Sequence, residues 1–94
     1  MNAPVTVHHN AAGQCFEVHL EGLRCELQYH LSGGVMRIHH TGVPPRLEGR
    51  GLAAALAQAA LAHARAQGRR VQPACSYVRR YMQRHPETLD LLPP

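Results

Sequence analysis

The sequence predicts an α+β domain: a mostly antiparallel sheet of about five strands, one βαβ crossover and two helices. Three observations predict it. Residues 15 to 41 alternate apolar and polar side chains in runs broken by short turn signals, the period of half-buried strands. Residues 52 to 67 are dominated by alanine and stop at Gly68, as a helix would. A short apolar stretch, residues 71 to 74, then separates this helix from an amphipathic segment at 76 to 85 and closes the crossover.

Each element has its own signal. Val5 to His9 is a short candidate strand, and Asn10-Ala11-Ala12-Gly13 a turn. Phe16, Val18 and Leu20 alternate with Cys15, Glu17 and His19, giving one buried and one wet face. Glu21-Gly22 is a two-residue turn. Leu23, Cys25, Leu27, Tyr29 and Leu31 then alternate with Arg24, Glu26, Gln28 and His30, the cleanest period-2 run in the chain. After Ser32-Gly33-Gly34, Met36, Ile38 and His40 make the inward side of a fourth strand, opposed by Val35, Arg37, His39 and Thr41. Pro44-Pro45 ends this meander.

In the first helix Leu52 and Leu56 lie at i,i+4, and the small alanines let it sit close against a sheet. Gly68 suits the C′ position, and Arg69 and Arg70 the negative end of the dipole. Val71 to Ala74 is a short buried strand whose Pro73 suits a place where pairing ends. Ser76 is a reasonable N-cap for the second helix. Its apolar face carries Tyr77, Val78, Tyr81, Met82 and His85, and Pro86 stops it. Leu89, Leu91 and Leu92 are expected to pack the tail back onto the domain.

Bulk properties narrow the functional classes. Ninety-four residues, 45% of them hydrophobic, make a single globular domain spanning 1–94. No apolar run reaches the roughly 20 residues of a membrane helix, and Met1-Asn2-Ala3-Pro4 lacks a signal-peptide core, so a cytoplasmic location is expected. Cys15, Cys25 and Cys75 are odd in number and widely spaced, which favours free thiols in a reducing compartment. The net charge of +4 rests on arginine alone, with no lysine, and the guanidinium fork suits phosphate. With one Phe, three Tyr, no Trp and no dense basic cluster, nucleic acid is an unfavoured partner. The eight histidines do not indicate a metal: in His8-His9 and His39-His40 the neighbours point to opposite faces, and HxxxH and CxxC spacings are missing.

The chemistry concentrates between His39 and Leu52. Gly49 and Gly51, two apart at the mouth of a helix, let backbone approach a ligand, and the N–H groups of Arg50, Gly51, Leu52 and Ala53 form an anion site. Arg46-Leu47-Glu48-Gly49-Arg50-Gly51 fits the [Q/R]-x-x-G-x-[G/A] signature of GNAT-superfamily N-acetyltransferases. Around it stand His40-Thr41-Gly42-Val43-Pro44-Pro45, Gly49-Arg50-Gly51-Leu52-Ala53, Pro73-Ala74-Cys75-Ser76-Tyr77-Val78 and Arg84-His85-Pro86-Glu87. Together these blocks resemble the very small single-domain GNAT-like proteins over residues 14 to 92.

That resemblance implies a minimal GNAT-like fold, acetyl-CoA or coenzyme A as co-substrate, and acetyl transfer to an amine. It places the pantetheine arm on His40, Thr41, Gly42 and Val43, and the diphosphate on Arg46, Glu48, Gly49, Arg50, Gly51, Leu52 and Ala53. Cys75 should line the fork where the fifth strand leaves the fourth, as acetyl acceptor, proton donor or wall. Tyr81 is the implied acid for the leaving thiolate, His40 a candidate base for the amine, and Arg79 and Arg80 candidates for the 3′-phosphate. Two positions depart from the family: Gly42 stands where an acidic residue is common, and Thr88 where an aromatic is usual. Larger relatives insert two helices where Asn10 to Gly13 leaves room only for a turn, so the acceptor side is expected to be open. The rival reading, in a different class, is a non-catalytic acyl-CoA-binding or interaction module.

Overall fold

A computed structural model describes residues 5–94; Met1–Pro4, on which the expected lack of a leader partly rests, lie outside it. The strands are β1 (His8–Asn10), β2 (Cys15–Leu20), β3 (Leu23–Ser32), β4 (Val35–Gly42) and β5 (Arg70–Pro73), and the helices α1 (Leu52–Ala66) and α2 (Ser76–Arg84). The sheet follows chain order, antiparallel from β1 to β4 and parallel between β4 and β5. The fold is therefore α+β, with α1 as the crossover between the parallel strands.

Both helices cover one face of the sheet. Leu56, Ala57 and Ala60 of α1 and Val78 and Met82 of α2 share one buried cluster with Phe16, Val18, Leu27, Ile38 and Val71. The alanines of α1 let its backbone lie close to β2 and β3, where larger side chains would hold it off. Gly68, at φ +68°, ends α1: Arg69 N–H reaches Ala64 O and Gly68 N–H reaches Arg65 O, the paired bonds of a Schellman motif.

Several expectations are corrected. The first strand starts at His8, not Val5, and runs into Asn10, whose Oδ1 accepts from Gly13 N–H and so starts the turn one residue later. Val5 and Val7 pack against the core without joining the ladder. Cys75, not Ser76, is the N-cap of α2. Pro45–Leu47 and Pro86–Leu91 form 3₁₀ turns, which the apolar period did not mark. In the second of these Leu91 is buried, but Leu89 is exposed. Bidentate Arg65 and the Arg70 guanidinium bind the Asp90 carboxylate and carbonyl respectively, tying this turn to α1 and β5.

Of the β2 face expected to be wet, only His19 is exposed. Glu17 is only 8% exposed, and Cys15 beside it is buried. Glu17 Oε2 accepts from Arg24 at 2.8 Å, from the Cys15 thiol at 3.1 Å and from Asn10 Nδ2 at 3.4 Å, while His19 Nε2 lies 3.0 Å from Oε1. Alternation gave the correct side, but the cross-strand cation covers it. Hydrogen bonds from Arg24 first, then His19 and Cys15, hold the Glu17 carboxyl far below the usual carboxylate range. A depressed carboxylate stabilises the fold above its ordinary value and loses that contribution as the unfolded chain takes up protons. Glu17→Gln is therefore expected to lower Tm at pH 7, with the gap to the parent narrowing as pH falls below about 4.5, read by thermal melts across pH.

Candidate functional site

The site begins with an irregularity in β4. Tyr29 pairs with Ile38 and Gln28 with His40, which leaves His39 as an unmatched extra residue. A bulge of this kind inverts the alternation beyond it. Thr41 consequently pairs with the core residue Leu27 and faces the helices, while His40 and Gly42 fall on the open face with Gln28 and Glu26. β5 pairs with β4 only as far as Ile38, whose carbonyl accepts from both Ala74 and Cys75 N–H at 2.9 Å. Past that point the two parallel strands part.

A groove of about 550 Å³ opens beside the released end of β4. Its walls are Thr41, Gly42 and Val43 on one side, Glu48, Gly49 and Gly51 at the loop, Leu52, Ala53 and Ala54 in α1, and Tyr77 from α2. Leu47, wholly buried, pins the loop to the core; such burial contributes about 1.5–3 kcal/mol. Gly49 and Gly51 have φ of +83° and +77°, a region in which a side chain costs about 1–2 kcal/mol. Gly51 caps α1 without a side-chain bond, and the first turn holds no acidic residue. The first helical bond runs from Ala55 N–H to Gly51 O at 3.0 Å, so the N–H groups of Leu52, Ala53 and Ala54 precede it. These three donors, at the positive end of the dipole, suit an anion.

Cys75 adjoins the groove through Thr41, its Sγ lying 3.5 Å from Thr41 Oγ1. Partial burial opposes ionisation of this thiol, but hydrogen bonds from Thr41 and from the N–H groups of Val78 and Tyr77 outweigh it and bring its pKa below the ordinary value. Burial pushes the Cys15 and Cys25 thiols up. Burial likewise keeps the Tyr77 and Tyr81 phenols protonated, raising both.

Comparison with known proteins decides the family. A model described as GCN5-related N-acetyl-transferase matches residues 15–91. The chain belongs to that family. Protein NATD1 of Mus musculus is 33% identical to this GCN5-related chain over 86 residues, covering 88% of it and 78% of the mouse protein. Protein NATD1 of Homo sapiens shows the same identity over 86 residues and is itself covered to 76%. The NMR solution structure of a GCN5-like protein from Staphylococcus aureus superposes with a TM-score of 0.75 at 22% identity, over 95% of this chain and 88% of that one, and so shares the fold.

In this GCN5-related protein the residues singled out from the sequence separate into groups. Thr41, Gly42, Val43, Glu48, Gly49, Gly51, Leu52 and Ala53 line one groove, with Cys75 next to it. Arg46 and Arg50 turn instead to Glu21 in the β2–β3 turn, at 3.5 and 2.5 Å. His40 is corrected from inward to outward: the bulge sets it on the open face, with Nε2 3.3 Å from Glu26. Arg79 reaches back to the Pro73 carbonyl at 3.4 Å and is not a groove residue, whereas Arg80 lines the adjoining space between the helices. Tyr81 sits one turn beyond the groove, and Tyr77, read from the sequence only as an apolar-face residue, lines it. Its place one residue after Ser76, in the first turn of the helix that Cys75 caps, was the available signal.

The three thiols should differ in reactivity. With limiting iodoacetamide at neutral pH, peptide mass spectrometry is expected to find Cys75 carbamidomethylated well ahead of Cys15 and Cys25, and Thr41→Val to slow Cys75 alone. Equal labelling of the three would contradict this order.

Proposed function

We propose that the protein binds acetyl-CoA in this groove and passes its acetyl group to an amine, in a reducing compartment where its cysteines stay free. The observation that carries the reading is one continuous groove, from the uncapped N–H groups of α1 to the parting of β4 and β5 beside Cys75. Family membership supports it, because the family's chemistry is acetyl transfer. The residues fit the coenzyme: two glycines in left-handed conformation face a diphosphate-sized space, and no acidic side chain occupies the first helical turn.

When bound, the thioester supplies an acyl carbon open to attack by an amine. The chain's own contributions are separable. Leu52, Ala53 and Ala54 N–H groups bind the diphosphate, with the helix dipole behind them. The edge of β4 released beyond Ile38 offers backbone donors to the pantetheine arm and to the acyl oxygen. Tyr77, protonated and in the groove wall, is placed to return a proton to the departing thiolate. Cys75 lines the far end as a readily ionised thiol, able to take the acyl group or give up its own proton. Tyr81 acts one turn further out, and His40, turned to the other face, takes no part within the groove.

Titration calorimetry with acetyl-CoA is expected to show saturable binding that Gly49→Val weakens at least about tenfold, through backbone strain and a side chain at the phosphate position. No heat at millimolar acetyl-CoA would remove the coenzyme reading altogether. Coenzyme thiol release with a panel of primary amines, reduced in Tyr77→Phe, then distinguishes a transferase from a module that binds without turnover.

A further inference from the structure

The β1 edge of the sheet is fastened through one histidine. His9 stands opposite Phe16 in the β1–β2 register and so shares its helix-covered face. Its ring lies flat on Phe16, with centroids 4.1 Å apart and 5° between the planes. Its Nε2 is 2.7 Å from the phenol oxygen of buried Tyr29 in β3. From α1, His63 meets the same ring edge-on at 4.4 Å and Phe16 at 5.8 Å. β1 has only three residues, so a short ladder and this ring cluster hold it, with Val5 and Val7 packed beside the core.

The groups whose charge acts on His9 are all cationic ones. Burial first, then His63 of α1, His8 of β1 and Arg69 after α1, bring its pKa below the ordinary value. No carboxylate pairs with His9, His63 or Arg69 among the described residues. Glu17, opposite His8, projects from the other face and is engaged by Arg24 and His19. Burial keeps the Tyr29 phenol protonated, so it donates to neutral His9. A protonated imidazole has no lone pair to accept that bond. The phenol must then turn its proton away, and Tyr29 Oη has no other side-chain partner among the described residues.

We infer that β1 is an acid-released latch: protonation of His9 within the Phe16–Tyr29–His63 cluster detaches His8–Asn10 and leaves β2 as the edge of the sheet. A histidine that takes up its proton less readily in the closed strand than in the released one favours closure above its free value of about 6.5 and opposes it below. The Glu17 effect begins lower, below about 4.5, so the two pH responses are separate. His63 lies at the end of α1 away from the coenzyme groove, and the latch stands whether or not that groove is filled.

Hydrogen exchange of the full chain, followed residue by residue by NMR and corrected for the intrinsic pH dependence of exchange, tests it. From about pH 7.5 to about pH 5.5, protection of amides paired between β1 and β2 is expected to fall about fivefold, while the β3–β4 ladder keeps its own. His63→Gln removes one opposing cation and moves the loss to lower pH. His9→Phe retains the stack on Phe16 and keeps β1 closed at both pH values. Parental protection that does not change with pH, or a fall that persists in His9→Phe, overturns the inference. An identical fall in parent and His63→Gln overturns it as well, even where His9→Phe leaves β1 open at both values.

Discussion

The site depends on where β4 and β5 stop pairing. One carbonyl, that of Ile38, takes the N–H groups of both Ala74 and Cys75, and no further rung can form. The extra residue at His39 makes that possible by bending β4 away just as β5 ends. From this one irregularity follow the free edge of β4, the turning of Thr41 toward the helices, and the placing of Cys75 at the cap of α2. A straight, regularly paired β4 would have put His40 over the core and closed the fork.

With both helices on one side, the sheet leaves its other face to side chains alone. Arg24, Glu26, Gln28 and His40 carry it, with Glu17 and Cys15 beneath the arginine. This arrangement replaces a second layer of structure by a charged network, which is how so short a chain buries Glu17 without an unpaired charge. The described residues contain no helix long and apolar enough to cross a membrane and no cluster that could hold a metal ion.

Much of this was legible in the sequence, and the failures have physical causes. Period-2 alternation located β2, β3 and β4, and alanine content with Gly68 located α1, because both signals are local. The glycines at 49 and 51 announced left-handed backbone for the same reason. His40 was misplaced because one inserted residue reverses every later position, and nothing in the identity of His39 marks it as the insertion. Glu17 was read as wet, and the pairing of Arg46 and Arg50 with Glu21 was not foreseen, because their partners Arg24 and Glu21 become neighbours only in the folded sheet. Tyr77 was hidden among apolar-face residues, since helical spacing does not tell a core ring from a groove ring.

The pairing of Glu21 with both loop arginines reduces the charge that the loop presents to solvent. Glu21 offsets only one of the two positive charges of Arg46 and Arg50, so the loop keeps part of its attraction at a distance, while its N–H dipoles act only at contact. The arginines of α2, without a carboxylate partner among the described residues, project a longer-ranged field. For the coenzyme proposed above, the association rate would follow from these charges and the dissociation rate from the loop. Ionic strength bears mainly on the first, and backbone geometry sets the second.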